Sequence, residues 1–531
     1  HESTLDSRRD EDLRCGSTGN CDIDIDVNGL PRGRIGQELR GDPDQRATSD
    51  PLSSFDRCGD AGAAVEKVER RSQRRRCRET KACWGVALLE CQQFKRCTHG
   101  QDRGRNRYAE PTPRDLSSRR PSIAPDLWQG GGVKITDCST FVIGNKPPHF
   151  GGKYFIVVKL TTDTGVVGYG EIYVASVGPN TVATMVDDIA ERWVVDADPN
   201  RIELLWRQMY SSGYSLRPDP TLVGIMSGIE MACWDIVGKD ADKPISDLLG
   251  GRVHDTLRTY TYLYPNAERP DVYSNPSQAA EQAAFEVSRG FDAVKFDPAG
   301  PYTAFDGHMP SLDDISQSVA ITGAIREAVG DRADLLFGTH GQFTAAGAIR
   351  LARQLEQFDP LWFEEPTVAD APQEMARVAR QTTIPVATGE RLTTITEFAA
   401  LARHQAASIW QPNLGRCGGI LAAKKIAAIA EASGCQIAPH LYSGPILGAA
   451  NIQLAVTLPN LLMIEGIQDW TGFHAELLTN PIQWEDGQVI PSREPGLGTA
   501  LNEAVALANP YVPDPDDATD LHLGMHPTPI R

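Results

Sequence analysis

From His254 onward the chain alternates short apolar runs with helical stretches, and the pattern ends near Met463. The runs centre on Tyr260, Val294, Leu336, Trp362, Val386, Ile409, Ile437 and Met463. Each is short and flanked by helical pattern, so each reads as a strand buried on both faces, as in a parallel sheet. Eight such strands alternating with helices call for a closed (β/α)8 barrel rather than an open sheet. In that architecture the active side chains stand at the carboxyl ends of the strands.

Residues 361–391 show such ends most plainly. Leu361, Trp362 and Phe363 run into Glu364 and Glu365, and the apolar run from Ile384 stops at Gly389 and Glu390. Pro372, Met375, Val378 and Ala379 mark an amphipathic helix between them. One strand-end glutamate is equally well explained as a helix cap or a partner of Arg391. Two on consecutive strands repel each other, and a hard divalent cation is the common remedy. The other ends supply Lys295 and Asp297, Gly338 and His340, Asn413, His440 and Glu465. Alternation puts Lys295 and Asp297 on one side of their strand, and Gly338 and His340 on one side of theirs. So many polar groups converging on one mouth are hard to explain as packing.

The formal net charge of -18 argues against nucleic-acid or anionic-membrane partners. No stretch reads as a membrane span and no signal peptide is evident, so a cytoplasmic protein is expected. Composition changes near residue 130. Seven of the eleven cysteines precede that point, with arginine runs such as Arg74 to Arg76. Their spacing matches no zinc pattern. Residues 1–132 are therefore expected to be a disordered leader or a non-native extension.

After it, residues 133–143, 154–160 and 166–169 read as strands, the last two joined by the turn Thr162, Asp163, Thr164 and Gly165. The Pro/Gly-rich loop 145–152 reads first as a plain connection, though a loop of this kind could also close over a site. Helices are expected over 179–193, 202–210 and 221–239, the last apolar nearly all round, as in a helix wedged between domains.

These features resemble the enolase superfamily, and within it the mandelate racemase group and its acid-sugar dehydratases. The resemblance spans about residues 133–509 and rests on WDIVGK with the following LLGG, on FEEP and TGER, on CGGI (417–420) and on PGLG (495–498). It implies an α+β capping domain (133–256 and 479–513) around an enolase-type barrel (257–478), with 514–531 a tail. It also implies a homo-oligomer acting on a small sugar acid with one Mg2+ per subunit. The shared chemistry is removal of a proton next to a carboxylate; a Lys or His base working with Mg2+ is this superfamily's pattern. Glu364 and Glu390 match metal ligands, Glu465 a hydrogen-bond partner of the substrate carboxylate, and Lys295 its positive neighbour. His440 matches the proton-abstracting base and His340 the acid for the leaving hydroxyl, giving a 2-keto-3-deoxy product. Gln342, Asn413 and His149 are expected as substrate contacts, with loops 145–152 and 210–220 setting specificity.

Two positions depart from the group. Its third-strand Asp ligand is Gly338 here, with Asp297 or water as the candidate replacement. The Asp partner of its base is Asn413, which has no charge to raise the imidazole pKa. A cycloisomerase of a sugar-acid lactone or anhydro sugar acid, and a non-catalytic binding member, are the alternatives.

Overall fold

The computed structural model describes residues 132–212, 217–297 and 307–513. The expected leader, apart from Gly132, the tail 514–531 and part of loop 210–220 lie outside the described residues.

Strands β1 (Ile135–Gly144), β2 (Tyr154–Thr162) and β3 (Val167–Ile172) form an antiparallel sheet in that order. Helices α1 (Pro179–Ile189), α2 (Ile202–Ser212), α3 (Pro220–Asp240) and α4 (Ile245–Leu248) follow. Asp219 starts α3 by accepting from Thr221 N and Leu222 N, with proline in the first turn. α3 lies on β3 almost backbone to backbone, because glycines face it. A Cβ on Gly170 would stand 1.9 Å from Gly228 O. By length and composition α3 could span a membrane, contrary to the sequence reading, but 78% of its apolar window is buried in protein.

The alternating region then runs β4 (Leu257–Tyr262), α5 (Pro276–Ser288), β5 (Ala293–Phe296), α6 (Leu312–Val329), β6 (Asp334–Gly338), α7 (Ala345–Leu355) and β7 (Trp362–Glu364). It continues through α8 (Pro372–Ala379), β8 (Val386–Thr388), α9 (Thr394–His404), β9 (Ile409–Trp410), α10 (Ile420–Ala432), β10 (Gln436–Ile437), α11 (Pro445–Ala455) and β11 (Ile464–Glu465). All eight strands fall where the apolar runs put them. β4 to β10 pair in parallel in sequence order, and β11 returns to pair with β4. At the seam between β10 and β11 there is no ladder. An isolated parallel bridge between Ile437 and Leu461 joins them, with Leu462 N donating to Ile437 O.

One residue from each of the eight strand positions fills the interior: Tyr260, Ala293, Leu336, Trp362, Ala387, Ile409, Ala438 and Met463 form a single buried cluster. The large rings are accommodated by the three alanines. This packed interior leaves the carboxyl ends of the strands free for chemistry, although no β10–β11 ladder closes the sheet into the expected barrel. After α12 (Phe473–Glu476), the hairpin β12 (Gln483–Glu485) and β13 (Gln488–Ile490) adds antiparallel to β4, making the sheet mixed. α13 (Glu503–Ala508) then returns to the first sheet, where Glu503 bonds Tyr169 and Lys159.

Buried acids of α3 tie these layers together. Asp235 accepts from Tyr169 N, Leu497 N and Lys239 Nζ. Glu230 accepts from Ile420 N, Leu421 N and Trp234 Nε1 and so caps α10, which has no capping side chain of its own. A Cβ on Gly419 would strike the Glu230 carboxylate, which accounts for that glycine of CGGI. Burial pushes the Glu230 carboxyl up to about 7 against its three donors. The folded state then holds a proton that the unfolded chain releases near 4.5, so this contribution is complete below pH 4.5 and lost as pH rises to about 7. Denaturant unfolding of the wild type and Glu230→Gln at pH 5 and pH 8 should show the wild type losing about 3 kcal/mol relative to the variant. A gap that stays constant would mean that Glu230 remains ionised throughout.

Candidate active site

The carboxyl ends of β5 to β11 gather the strand-end acids, the lysine and both histidines named from the sequence. Lys295 lies on β5 with a side chain only 2% exposed. Its Nζ stands 2.5 Å from Glu364 Oε1 at the end of β7 and 3.8 Å from Glu465 Oε1 at the end of β11. Burial works against the ammonium, but Glu364 and Glu465 outweigh it and keep it charged. Gln411, just past β9, donates to Glu364 Oε2 at 2.7 Å. This residue was missed in the sequence, although it lies two before Asn413 and so shares its face by the same alternation.

Beyond β8, Gly389 takes φ 140°, and a Cβ there would stand 2.9 Å from Gln411 N. Glu390 follows, with Oε2 3.6 Å from His440 Nε2 and without a hydrogen-bond partner. Burial would raise its pKa, but His440, His340, Lys295 and Arg391 hold it well below the usual carboxylate range. Glu365 turns away into an ion pair with Arg391 at 2.9 Å. His340 (φ 48°) and Glu365 (φ 42°) both adopt left-handed backbone within two residues of their strand ends, strain of the kind found at functional sites.

The two histidines are partnered differently. His340 Nδ1 is 3.1 Å from Asp297 Oδ2, and although burial opposes it, the Asp297 carboxylate raises the imidazole to about 9. His440 Nδ1 lies 2.8 Å from Asn413 Nδ2. Burial lowers this imidazole to about 3, with Lys295 and Arg416 adding to the effect. At neutral pH the first ring is cationic and the second neutral. Glu465, which accepts from Leu441 N at 2.6 Å, is raised by burial to about 7.

Asp297 occupies the space opened by Gly338: a Cβ at 338 would lie 2.1 Å from Asp297 Oδ1. Gln342 is fully buried with neither amide atom paired. His149 is held within its own loop, Nδ1 on Asn145 O at 2.8 Å, and is not brought into the strand-end cluster. Its loop nonetheless rests against the barrel ends: Phe150 lies 4.3 Å from the Tyr264 ring, and Lys146 pairs with Glu476.

Whether these residues suit a hard cation can be judged from the donors themselves. Burial raises Glu364, and Glu390 adds to the shift, so the two carboxylates repel each other in a site closed to water. Their oxygens, one of them unpaired, fit a divalent ion in kind. Among the described residues no group of three or more His, Cys, Asp or Glu is gathered as a ready cage, because Lys295 holds Glu364 and His340 holds Asp297.

Replacing Gly338 by alanine should displace Asp297 and cost about 1–3 kcal/mol of stability. In an NMR titration His340 should then protonate at lower pH than in the wild type, having lost its carboxylate. An unchanged titration would show that Asp297 does not set the charge of this ring.

Comparison with known proteins agrees with this architecture. The enolase C-terminal domain-like family matches residues 278–505, and the mandelate racemase/muconate lactonizing enzyme N-terminal domain matches residues 150–250. D-Galactonate dehydratase of Ralstonia nicotianae is 35% identical over 384 residues, 71% of this chain and 94% of that protein. D-Xylonate dehydratase of Haloferax volcanii is 33% identical over 399 residues, 74% and 93% of the two chains. The crystal structure of a mandelate racemase/muconate lactonizing enzyme from Sulfitobacter sp. is 52% identical, with a TM-score of 0.72, covering 75% of this chain and 100% of that one. With both domains matched and the strand-end acids in place, the chain belongs to the mandelate racemase/muconate lactonizing enzyme family of the enolase superfamily.

Proposed function

We propose that this protein is an acid-sugar dehydratase, a hydro-lyase that removes water from a sugar acid to leave a 2-keto-3-deoxy acid. Relatives named D-galactonate, D-xylonate and D-gluconate dehydratase support the reaction class. The observation that carries the reading is the pair of histidines at one mouth, one pushed down to about 3 and the other up to about 9. A pair driven apart in this way divides into a proton acceptor and a proton donor.

In this reading the substrate carboxylate lies beside Lys295, whose charge stabilises the electron density that builds up on its oxygens. Glu465, poised near neutrality, shares a proton with the same carboxylate. His440 takes the C2 proton at Nε2, the electron pair of that C–H bond moves first onto the carboxylate oxygens, and it then returns to form the C2–C3 double bond as the C3–O bond breaks. His340 delivers its proton to the departing hydroxyl, so water leaves and the enol tautomerises to the ketone. In the structure it is Asn413 Nδ2 that faces Nδ1; for Nε2 to accept, Nδ1 must carry the ring proton, which requires the amide to turn over and present Oδ1, an atom without a partner. Gln342 is a substrate contact, and His149 becomes one when its loop closes. Glu364 and Glu390, with Asp297 as the third donor, would hold Mg2+, which when bound supplies fixed positive charge to the substrate carboxylate. The active form is taken as a cytoplasmic homo-oligomer acting on a small molecule, with 133–256 and 479–513 capping the barrel.

The rings of Tyr262, Tyr264 and Phe150 adjoin one another, with centroids 5.4 Å and 4.3 Å apart, and Tyr273 lies 6.1 Å from Tyr262. Such an apolar wall suits the face of a cyclic substrate and favours, as a second reading, a cycloisomerase that expels a ring oxygen in place of hydroxide. Incubation with Mg2+ and a panel of aldonic, aldaric, lactone and anhydro sugar acids in D2O, followed by proton NMR, tests both. A 2-keto-3-deoxy product from an open-chain acid supports the dehydratase. Product from cyclic acids alone supports the cycloisomerase, and neither product nor C2 exchange would overturn both. With the substrate identified, Asn413→Asp should raise the His440 pKa and move the acid limb of kcat/KM to higher pH by about one unit or more.

A further inference from the structure

Glu171, the last residue but one of β3, is completely buried and reaches out of the first sheet to the segment joining β10 to α11. Its carboxylate accepts from Ser443 Oγ at 2.7 Å, Gly444 N at 2.5 Å and Leu447 N at 2.8 Å. α11 has no capping side chain of its own. Gly444 fits because a Cβ there would stand 2.8 Å from Glu171 Oε1. His440 lies three residues before Ser443, and its carbonyl is held from the other side by Asn451 Nδ2 of α11 at 3.2 Å. The clamped stretch is therefore the one that carries His440, fixed at Ser443 by β3 and at His440 by the helix that Glu171 caps. The carbonyl of Ser443 also meets the capping loop. Gly151, at φ 85°, lies so close that a Cβ would be 2.5 Å from it.

We propose that Glu171 is a positioning residue for His440: through Ser443 and Gly444 it fixes the segment that carries this ring, so that the first sheet sets where Nε2 points. The inference rests on reading His440 as the group that takes the proton. A carboxylate accepting three donors in a water-free interface holds backbone more firmly than neutral bonds would. Glu230 supplies an internal comparison, since it is an equally buried carboxylate that caps α10 at Ile420 and Leu421, seven residues or more beyond Asn413.

The test uses the full chain with Glu171→Gln, Ser443→Ala and Glu230→Gln, each checked for folding by circular dichroism. Amide hydrogen exchange by mass spectrometry is followed over residues 438–447. Kinetics are measured with whichever sugar acid the wild type converts. In Glu171→Gln exchange over 440–447 should rise about tenfold. Its kcat should fall about tenfold to a hundredfold while KM moves less than about threefold, since a ring displaced by a fraction of an ångström loses the reaction but not binding. Ser443→Ala should shift both in the same direction by less, whereas Glu230→Gln should leave exchange at 440–447 and kcat within about twofold. A folded Glu171→Gln with unaltered exchange or unaltered kcat would overturn the proposal, as would an equal loss of kcat in Glu230→Gln. If Glu171→Gln does not fold, the same measurements on Ser443→Ala decide. If the wild type converts no sugar acid, the dehydratase reading fails, while the exchange measurements still show whether Glu171 holds the segment.

Discussion

Lys295 sits between Glu364 and Glu465, and the organisation at the barrel mouth follows from that buried contact. Strand ends put the carboxylates of Glu364, Glu390 and Glu465 in one water-poor space, where like charges repel far more strongly than in water. An ammonium 2.5 Å from Glu364 and 3.8 Å from Glu465 offsets part of that repulsion. The remainder is met by His340, which becomes cationic, and by Glu465, which is left near half-protonation, whereas burial keeps His440 neutral against the pull of Glu390. Burying so many ions is poor economy for stability alone, because desolvation exceeds what pairing returns. The arrangement makes sense as a site prepared for charge that forms during a reaction.

The two departures from the group's pattern are connected in space. Gly338 leaves a gap on β6, and the Asp297 carboxylate from the adjacent strand stands where a side chain at 338 would be. There it partners His340. Asn413, meanwhile, gives His440 a neutral partner. A charged partner on His340 and a neutral one on His440 separate the two rings in pKa more widely than burial alone would, since burial depresses both.

Much of this could be read from the sequence because period-two and period-3.6 patterns are local. All eight strands lie where the apolar runs centre, and Asn275 with Pro276 starts α5 as the cap chemistry requires. The strand-end residues followed once the strands were placed. Other parts depend on contacts between residues far apart in the chain. Glu171 reads as an ordinary strand residue, and Glu230 as one turn of an apolar helix, until β3 and α3 are laid against helices some 190 to 270 positions later. The seam between β10 and β11 was not legible either, since strand pairing at closure is set by stagger around the whole barrel. Gln411 was legible but overlooked.

Glu171, Glu230 and Asp235 share a logic that bears on how the first sheet and the barrel cooperate. An apolar interface between the two would be more stable per unit area, yet it could slide by a fraction of an ångström at little cost. Three buried carboxylates, each accepting two or more fixed N–H donors from partners distant in sequence, admit only one register. Displacement leaves a buried charge without donors, a cost of several kcal/mol. The glycines opposite Glu230 and Glu171, Gly419 and Gly444, are the other half of the device, because only a missing side chain lets a carboxylate reach the helix amides. Register set in this way at Ser443 is register set for the segment that carries His440, up to its contact with Asn413. The pairing of these two residues at 2.8 Å therefore depends on a sheet that contributes no atom to the strand ends of the mouth.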